Sequence, residues 1–382
     1  MIMELQFLTE TRRHLHQHPE LSMEEFNTTA FIKSRLDALH ISYECPLPTG
    51  VIAKIEGSGS TAVGFRADID ALPILEENTC DYKSTVDHVM HACGHDGHTA
   101  MLLGFAGRVK QLADSGRLNT TVYFIFQPSE ETMAGANQLI SAYDFGPLAG
   151  IYGLHMMPDN EEGTILSKPG PLTASATEYR FFISGTSAHV ANKEQGQSAG
   201  EALAFILNQL SQLQHYHLPG LRQNIVHIGK FSAGEAINTV PSTGYLEGTI
   251  RTFDMANLAV VKEQMARIRT ACETLTGVSV ELKFAEGYPP TINDEAAYQL
   301  MQQAAGATDL TWIEKDDPYL FGEDFAFYSG AAPTAFAFLG CRNEAKGFVT
   351  GLHTATFNFD EAILLKGIDL FEAILQQHEV QS

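Results

Sequence analysis

The chain has 382 residues, of which 44% are hydrophobic and 18% are charged, a balance typical of a folded globular protein rather than a disordered one. Acidic residues outnumber basic residues by 46 to 24, and the net charge of −22 would repel a nucleic-acid backbone or an anionic membrane surface. A chain of this length usually forms more than one hydrophobic core, so two domains are predicted.

The cysteine content and the apolar segments indicate a protein of the cytoplasm. The five cysteines follow no spacing typical of a disulfide framework and are predicted to be reduced thiols: Cys45, Cys80, Cys93, Cys272 and Cys341. The N-terminal segment lacks the apolar core of a signal peptide, and the sequence contains no run of about 18 apolar residues that could span a membrane. We therefore expect a cytoplasmic protein.

Helical and strand patterns alternate in the first part of the chain, which is the order typical of an α/β layer structure. The first predicted helix covers residues 4–17 and ends before Pro19, because a proline disfavours a helical residue ahead of it. The next predicted elements are a strand at 61–68, a helix at 98–116, and strands at 120–127 and 151–155.

A different order of elements begins near residue 178. A strand, a helix, two strands, a helix and a strand follow one another to residue 290, which is the order of a ferredoxin-like module. The α/β pattern then resumes with a helix at 294–306, a strand at 332–340 and a last helix at 360–378. We predict one α/β domain formed by residues 1–177 and 291–382, interrupted by an inserted α+β domain at 178–290.

The segment MHACGHDGHTA, residues 90–100, concentrates side chains that bind metal ions. Cys93 and His95 are both good ligands for zinc or a similar divalent ion, and in an extended segment their spacing would place them on the same side. The pair alone is better explained by a buried cysteine beside a hydrogen-bonded histidine. Other donors in the chain therefore decide the interpretation.

Further donors follow predicted strands or lie in a loop. Glu130 and Glu131 come after the strand at 120–127, where adjacent carboxylates diverge, so one can bind metal while the other acts as a general base. His155 is predicted at a strand end, and His353 lies in a loop led by glycine. Together with the cysteine and histidine above, these donors exceed what one tetrahedral zinc with an open position needs. They suit two metals about 3.5–4 Å apart.

The chain resembles the M20 metallopeptidase family, and in particular its amidohydrolase branch of hippurate hydrolases, auxin-conjugate amidohydrolases and N-acyl-amino-acid deacetylases. The resemblance covers almost the whole chain and rests on motifs in a fixed order: RRHLHQHPELSMEE (12–25), GFRADIDALP (64–73), MHACGHDGHTAMLLG (90–104), FQPSEE (126–131), GLHMMP (153–158), INTVP (237–241), GTIRTFD (248–254), GEDFAFY (322–328) and LHTATFNFDE (352–361). It implies a phosphorylase/hydrolase-like catalytic α/β domain with an inserted ferredoxin-like α+β lid, and two divalent metal ions per subunit (zinc, manganese, cobalt or nickel).

The resemblance also implies roles for single residues. The implied metal ligands are Cys93, His95, Glu131, His155 and His353. Glu130 falls at the position of the catalytic base, and Asp70 at that of an aspartate that orients a ligand and tunes the centre. Metal-bound histidines usually need a carboxylate partner, and the spacing leaves Asp68 open as an alternative to Asp70. Asp96 and His98 flank the ligands and are interpreted as supporting or structural residues.

Three residues of the inserted domain are implied in substrate contact. His189 of GTSAHVA would lie near the scissile carbonyl, in some relatives that of the partner subunit. Asn238 and Arg251 would hold the substrate carboxylate, for which a bidentate arginine is well suited, although a surface ion pair is the alternative for Arg251. The segment HVANKEQGQSA (189–199) lacks the proline and the aspartate-proline turn common in this branch. That difference affects the lid loop and the choice of substrate.

We expect the chain to hydrolyse the amide bond of N-acyl amino acids, with an acetyl or aromatic acyl group, and to form a homodimer through the lid. One alternative is a metal-dependent carboxypeptidase or dipeptidase at the same site, and another is a non-catalytic metal- or peptide-binding protein. A third is a metal-free enzyme with Cys93 as nucleophile and His95 or His98 as base. The third leaves the two glutamates and two distant histidines unexplained, and a binding protein has no need of a base such as Glu130.

Overall fold

The computed structural model describes residues 2–132, 135–220, 224–285 and 287–381. The helices are α1 (Ile2–Gln17), α2 (Phe26–Ala38), α3 (His95–Asp114), α4 (Gly135–Ala142), α5 (Ala199–Tyr216), α6 (Met255–Thr276), α7 (Glu295–Ala305) and α8 (Ile363–Gln381). The strands are β1 (Ser42–Glu44), β2 (Val51–Ile55), β3 (Ala62–Asp68), β4 (Thr121–Gln127), β5 (Gly150–Glu161), β6 (Thr164–Ser167), β7 (Gly170–Pro171), β8 (Thr177–Ser184), β9 (Ile225–Ala233), β10 (Thr243–Arg251), β11 (Ser279–Phe284), β12 (Ile292–Asn293), β13 (Thr311–Glu314) and β14 (Thr334–Arg342).

These elements divide between two units, each with its own hydrophobic core. The first unit takes the residues through Leu172, Ile292–Pro318 and the residues from Asp324 onward. The second takes Thr173–Thr291 and Tyr319–Glu323. A separate core in each unit is the property expected of a domain.

The first unit is built on an eight-stranded sheet with the strand order β1-β2-β4-β3-β5-β14-β6-β13. The strands β4, β3, β5 and β14 are parallel neighbours. Residues 334–341 of β14 are all buried, as expected for a strand covered on both faces. The predicted α/β class of this part of the chain is confirmed.

Parallel strands bring their carboxyl ends to one edge of the sheet, where α/β proteins place their sites. At this edge β3 ends at Asp68 and β4 at Gln127. The prediction that His155 stands at a strand end is wrong, because β5 continues to Glu161 while it pairs with β14. The pairing of β5 with β3, however, ends at Gly153. His155 therefore lies two residues beyond the part of β5 that is paired with β3.

Helix α3 begins at His95, earlier than the predicted start at residue 98. Gly94 stands at its N-cap with a φ of 89°, a left-handed conformation that glycine adopts without steric penalty. The predicted extended segment through Cys93 and His95 is therefore wrong. The two residues flank a left-handed turn at the start of a helix.

The second unit contains β8, α5, β9, β10, α6 and β11 in chain order. Its strands form an antiparallel sheet with the order β11-β8-β10-β9, which is a ferredoxin-like arrangement, so the fold-class prediction is confirmed. Buried and exposed residues alternate along β8, and its buried Tyr179, Phe181 and Ile183 contribute to the core of this unit. The roles of this unit as a lid and as a dimerisation domain stay predictions.

The five cysteines are free thiols. Among the residues that the structure describes, no helix combines the length and the apolar character needed to cross a membrane.

Candidate metal centre

The five predicted metal ligands form one continuous cluster in the first unit. Sγ of Cys93 lies 3.3 Å from Nε2 of His155 and 3.3 Å from Nε2 of His353. Oε1 of Glu131 lies 3.3 Å from Nε2 of His353 and 4.0 Å from Nε2 of His95. The fold therefore brings a thiol, three imidazoles and a carboxylate together.

Backbone contacts fix the loops that carry two of these donors. The N–H of His353 donates to the carbonyl of Ala92 at 2.9 Å, which ties its loop to the residue before Cys93. His353 has a φ of 58°, a left-handed conformation that is uncommon for a non-glycine residue. Cys93 and His353 are 260 residues apart in sequence, and the hydrogen bond between His353 and Ala92 brings their side chains together.

Two of the donor atoms, Nε2 of His95 and Oε1 of Glu131, are buried and form no hydrogen bond with the described residues, although Oε1 lies within ion-pair distance of Nε2 of His353. A buried polar group left in this state costs roughly 1–3 kcal/mol. A cation between the donors would satisfy both atoms, and thiolate, imidazole and carboxylate ligands together suit zinc and similar divalent ions. The residues present therefore fit a metal centre.

The electrostatics around the histidines also favour a cation. Burial lowers the pKa of His95, but Asp68 and Asp70 outweigh this effect and raise the pKa to about 10. A metal ion would take the place of the proton that these carboxylates stabilise. Burial lowers the pKa of His155 well below its ordinary value, so this ring stays neutral. Its Nδ1 donates to the carbonyl of Met156 at 2.8 Å, which leaves the lone pair of Nε2 directed at the cluster.

Asp70 supports His95 from the side opposite to the cluster. Nδ1 of His95 lies 2.9 Å from the carbonyl oxygen of Asp70 and 3.2 Å from its Oδ1. Oδ2 of Asp70 accepts the N–H of Glu131 at 3.0 Å and the hydroxyl of Ser22 at 2.6 Å. One carboxylate thus contacts two of the predicted ligands.

Asp68, the alternative partner, contacts a different histidine. Its Oδ1 lies 2.6 Å from Nδ1 of His98, and Nε2 of His98 accepts the N–H of Met156 at 2.9 Å. Both nitrogens of His98 therefore have partners within the protein, and its interpretation as a supporting or structural residue stays a prediction. Oδ2 of Asp68 bonds Arg66 at 2.7 Å and lies 3.6 Å from Nε2 of His95, within ion-pair distance, so Asp68 borders the centre from the side of that nitrogen.

Glu130 lies beside the cluster and is 7% exposed. A carboxylate oxygen of Glu130, one of Glu131 and a nitrogen of His95 all lie within 4.8 Å of one another. Oε1 of Glu130 accepts the N–H of Asp324 at 3.4 Å. A buried carboxylate in this position can accept a proton from a water at the centre.

Several residues that contact Asp70 or the loop of Glu130 were not predicted from the sequence, although they lie in motifs shared with the M20 family. Ser22 and Glu25 belong to RRHLHQHPELSMEE, and Asp324 belongs to GEDFAFY. Their contacts reach segments far away in the chain, and no local spacing signals such contacts. Asp96 accepts hydrogen bonds from Nε of Arg12 at 2.9 Å and from Nδ1 of His16 at 2.8 Å, which agrees with its interpretation as a structural residue.

The predicted substrate-binding residues belong to the second unit. His189 precedes a short 3₁₀ helix, Val190–Gln195, and its Nδ1 accepts a backbone N–H of the first turn at 3.1 Å. The carbonyl of Asn238 accepts the N–H of Val190 at 3.0 Å, so His189 and Asn238 lie on neighbouring segments. Arg251 ends β10, and partial burial lowers the pKa of its guanidinium. The substrate-binding roles of these residues stay predictions.

The chain is similar to known hydrolases along almost its whole length. The family model described as Peptidase family M20/M25/M40 matches residues 64–377. An uncharacterized hydrolase of Staphylococcus aureus strain USA300 is 56% identical over 379 residues, which cover 98% of this chain and 99% of the relative.

Solved structures agree with this similarity. The YXEP protein of Bacillus subtilis, described as a dinuclear metal binding peptidase from the M20 family, has a TM-score of 0.86 at 32% identity and covers 100% of this chain and 99% of its own. A proposed aminohydrolase from methicillin-resistant Staphylococcus aureus has a TM-score of 0.92 at 27% identity, over 98% of this chain and 97% of its own.

Proposed function

Because this chain belongs to peptidase family M20/M25/M40 and is a hydrolase of that family, we propose that it hydrolyses the amide bond of N-acyl amino acids, with Glu130 as the general base. The observation that carries the proposal is the buried Glu130 carboxylate beside two unsatisfied donor atoms, those of His95 and Glu131. A binding protein needs only the donors, whereas hydrolysis needs a base next to them.

In this proposal the residues that hold two divalent ions (zinc, manganese, cobalt or nickel) are Cys93, His95, Glu131, His155 and His353. When bound, such ions supply a Lewis acid for the scissile carbonyl and lower the pKa of a water to about 7.

The side chains of the protein then carry the proton. Glu130 accepts a proton from the attacking water and donates it to the leaving amine, while the N–H of Asp324 holds one of its carboxylate oxygens. Asp70 keeps His95 and Glu131 in position through contacts with both. Burial of Glu130 strengthens its hydrogen bond with the N–H of Asp324, because little solvent screens it.

Substrate contact is proposed for three residues of the second unit: His189 at the scissile carbonyl, and Asn238 and Arg251 at the carboxylate of the amino acid. For Arg251 the assignment is supported by the fit between a forked guanidinium and a carboxylate. We also propose a homodimer through this unit, since β9 lies at an edge of its sheet and is mostly exposed. A cytoplasmic location is consistent with the five free thiols.

The description of YXEP as a peptidase favours a second candidate, the cleavage of dipeptides at the same centre. The two candidates share the base and the ligands and differ in the group on the acyl side. A dipeptide brings a charged amino group to that side, whereas an N-acetyl or N-benzoyl amino acid brings an uncharged one.

Chelation and reconstitution test the proposed function. The chelator-treated enzyme is reloaded with zinc, manganese, cobalt or nickel and assayed against N-acetyl amino acids, N-benzoyl amino acids and dipeptides. We expect activity to vanish with the chelator, to return with metal, and to be highest on N-acyl amino acids. Full activity after complete metal removal would instead support Cys93 as a nucleophile, and a preference for dipeptides would support the second candidate.

A further inference from the structure

We propose that Glu25 is a positioning residue for the loop of residues 129–131, which carries Glu130 and Glu131. It does so by accepting a hydrogen bond from the backbone of Ser129. The inference rests on the proposed function, because that function assigns the base and a metal ligand to this loop.

Ser129 has a strained backbone directly before the proposed base. Its φ is 58°, in the left-handed region that non-glycine residues rarely adopt, and its side chain is fully buried. Such a conformation persists only where the surrounding structure holds it, and it is found most often at functional sites. Some group must therefore hold Ser129 in place.

Ser129 also bonds Thr132 through its hydroxyl and Gly135 through its carbonyl, and Glu25 is the group that binds its N–H. Oε1 of Glu25 accepts the N–H of Ser129 at 2.8 Å, and the Glu25 side chain is fully buried. Although Glu25 stands at the N-cap of α2, its side chain makes no capping hydrogen bond to that helix. Burial of a carboxylate is costly unless hydrogen bonds compensate for the lost water. Oε2 of Glu25 has no hydrogen-bond partner among the described residues, so the bond of Oε1 to the loop is the one that offsets this cost.

The other end of the loop has a second anchor. Oδ2 of Asp70 accepts the N–H of Glu131 at 3.0 Å, so two buried carboxylates hold the backbone on either side of Glu130. Loss of the Glu25 anchor would let Ser129 rotate to a negative φ, which redirects the next residue. A displacement of about 1 Å at a catalytic group can cost about 100-fold in rate.

The same motif contains a matched control. Oε2 of Glu20 accepts the N–H of Thr28 at 2.8 Å, and its Oε1 accepts the N–H of Asn27 at 3.1 Å. The Glu20 carboxylate thus serves the first turn of α2. Removing it disturbs the same helix end without removing the bond to Ser129.

The test compares Glu25→Gln, Glu25→Asp and Glu25→Ala with Glu20→Ala. Glutamine keeps an oxygen at the same reach and loses the charge, whereas aspartate keeps the charge and loses the reach. Hydrogen exchange of the peptide covering residues 127–132 is measured on metal-free protein. We expect wild-type protection in Glu25→Gln and Glu20→Ala, and faster exchange in Glu25→Asp and Glu25→Ala. If Glu25→Ala does not fold, Glu25→Asp carries the comparison.

Kinetics on the N-acyl amino acid that the wild type hydrolyses best, at equal metal content, complete the test. We expect kcat to fall about 10- to 100-fold in Glu25→Asp and Glu25→Ala, with a smaller change in KM and most of the rate retained in Glu25→Gln. Loss of protection and rate in Glu25→Gln as large as in Glu25→Ala, or wild-type behaviour of Glu25→Ala, overturns the inference. Glu130→Gln is assayed in parallel: normal turnover there would refute the base role, while the exchange result would still decide the role of Glu25.

Discussion

Asp70 contacts His95 twice: Nδ1 of the imidazole lies 2.9 Å from the Asp70 carbonyl oxygen and 3.2 Å from its carboxylate Oδ1. A carbonyl oxygen can only accept, so Nδ1 must carry the proton, and the lone pair of Nε2 is left for the centre. The remaining carboxylate oxygen accepts the N–H of Glu131. One side chain therefore sets the position of two ligands.

Asp70→Asn should weaken metal binding by about 10- to 100-fold, a range typical for loss of the partner of a metal-bound histidine. The asparagine has one acceptor oxygen, so it cannot accept from both His95 and Glu131. Competition with a chromogenic chelator measures the affinity. Asp294→Asn is the control, since Asp294 caps α7 through hydrogen bonds to two backbone N–H groups. Equal affinities in the two variants would contradict the prediction.

Glu130→Gln should retain its metal and its fold while kcat falls by about 10²- to 10⁴-fold, because only the proton acceptor is removed. The measurement is kcat together with metal content by mass spectrometry. Turnover near that of the wild type in fully loaded protein would exclude Glu130 as the base.

Cys93 should be a thiolate ligand and not a nucleophile, because a bound metal deprotonates a coordinating thiol and occupies its lone pair. We expect iodoacetamide to modify Cys93 quickly in metal-free protein and slowly in loaded protein. Exposed Cys45 is the internal control and should react equally in both forms. Cys93→Ser should weaken metal binding. The same Cys93 rate in both forms, with metal content verified, would remove it from the ligand set.

His189 should act on the substrate of the partner subunit if the chain dimerises through its second unit. A donor to the developing oxyanion is worth about 3–4 kcal/mol in other acyl-transfer enzymes. Glu130→Gln and His189→Ala subunits, each inactive alone, are mixed and the heterodimers isolated. Action in trans gives one site with both residues intact, so activity returns. Confirmed heterodimers without activity, or a strictly monomeric protein, would refute the arrangement.

His378 should make the protein sensitive to acid. It is buried in α8 with Nε2 2.9 Å from the hydroxyl of Tyr152, and burial lowers its pKa from 6.5 to about 4. As pH falls from 6.5 towards 4, the unfolded chain binds a proton that the folded protein does not, so stability is lost as pH falls through this window. The full loss is on the order of 3 kcal/mol.

His378→Gln should reduce this acid sensitivity, because glutamine does not titrate and can still bond Tyr152. Urea unfolding of metal-free protein across the window measures it. An unchanged slope in His378→Gln would show that the buried ring does not contribute.

Local patterns in the sequence were enough for the fold class. Alternating strand and helix periodicities predicted the α/β sheet, and the strand-helix-strand-strand-helix-strand order predicted the ferredoxin-like unit. Both follow from hydrophobic spacing within short segments. The candidate metal ligands could also be predicted from the sequence, because residue type alone decides which side chains can bind a metal.

Only the tertiary structure decided how these residues meet. The contact between Cys93 and His353 joins positions 260 residues apart, and the backbone hydrogen bond from His353 to the carbonyl of Ala92 holds it. Asp68 and Asp70 are only two positions apart in sequence, yet their side chains contact different histidines: Asp70 contacts Nδ1 of His95 and Asp68 contacts Nδ1 of His98. Local spacing could not decide which aspartate supports His95. The mid-strand place of His155 and the bond from Ser129 to Glu25 likewise arise from long-range packing, which local propensity does not encode.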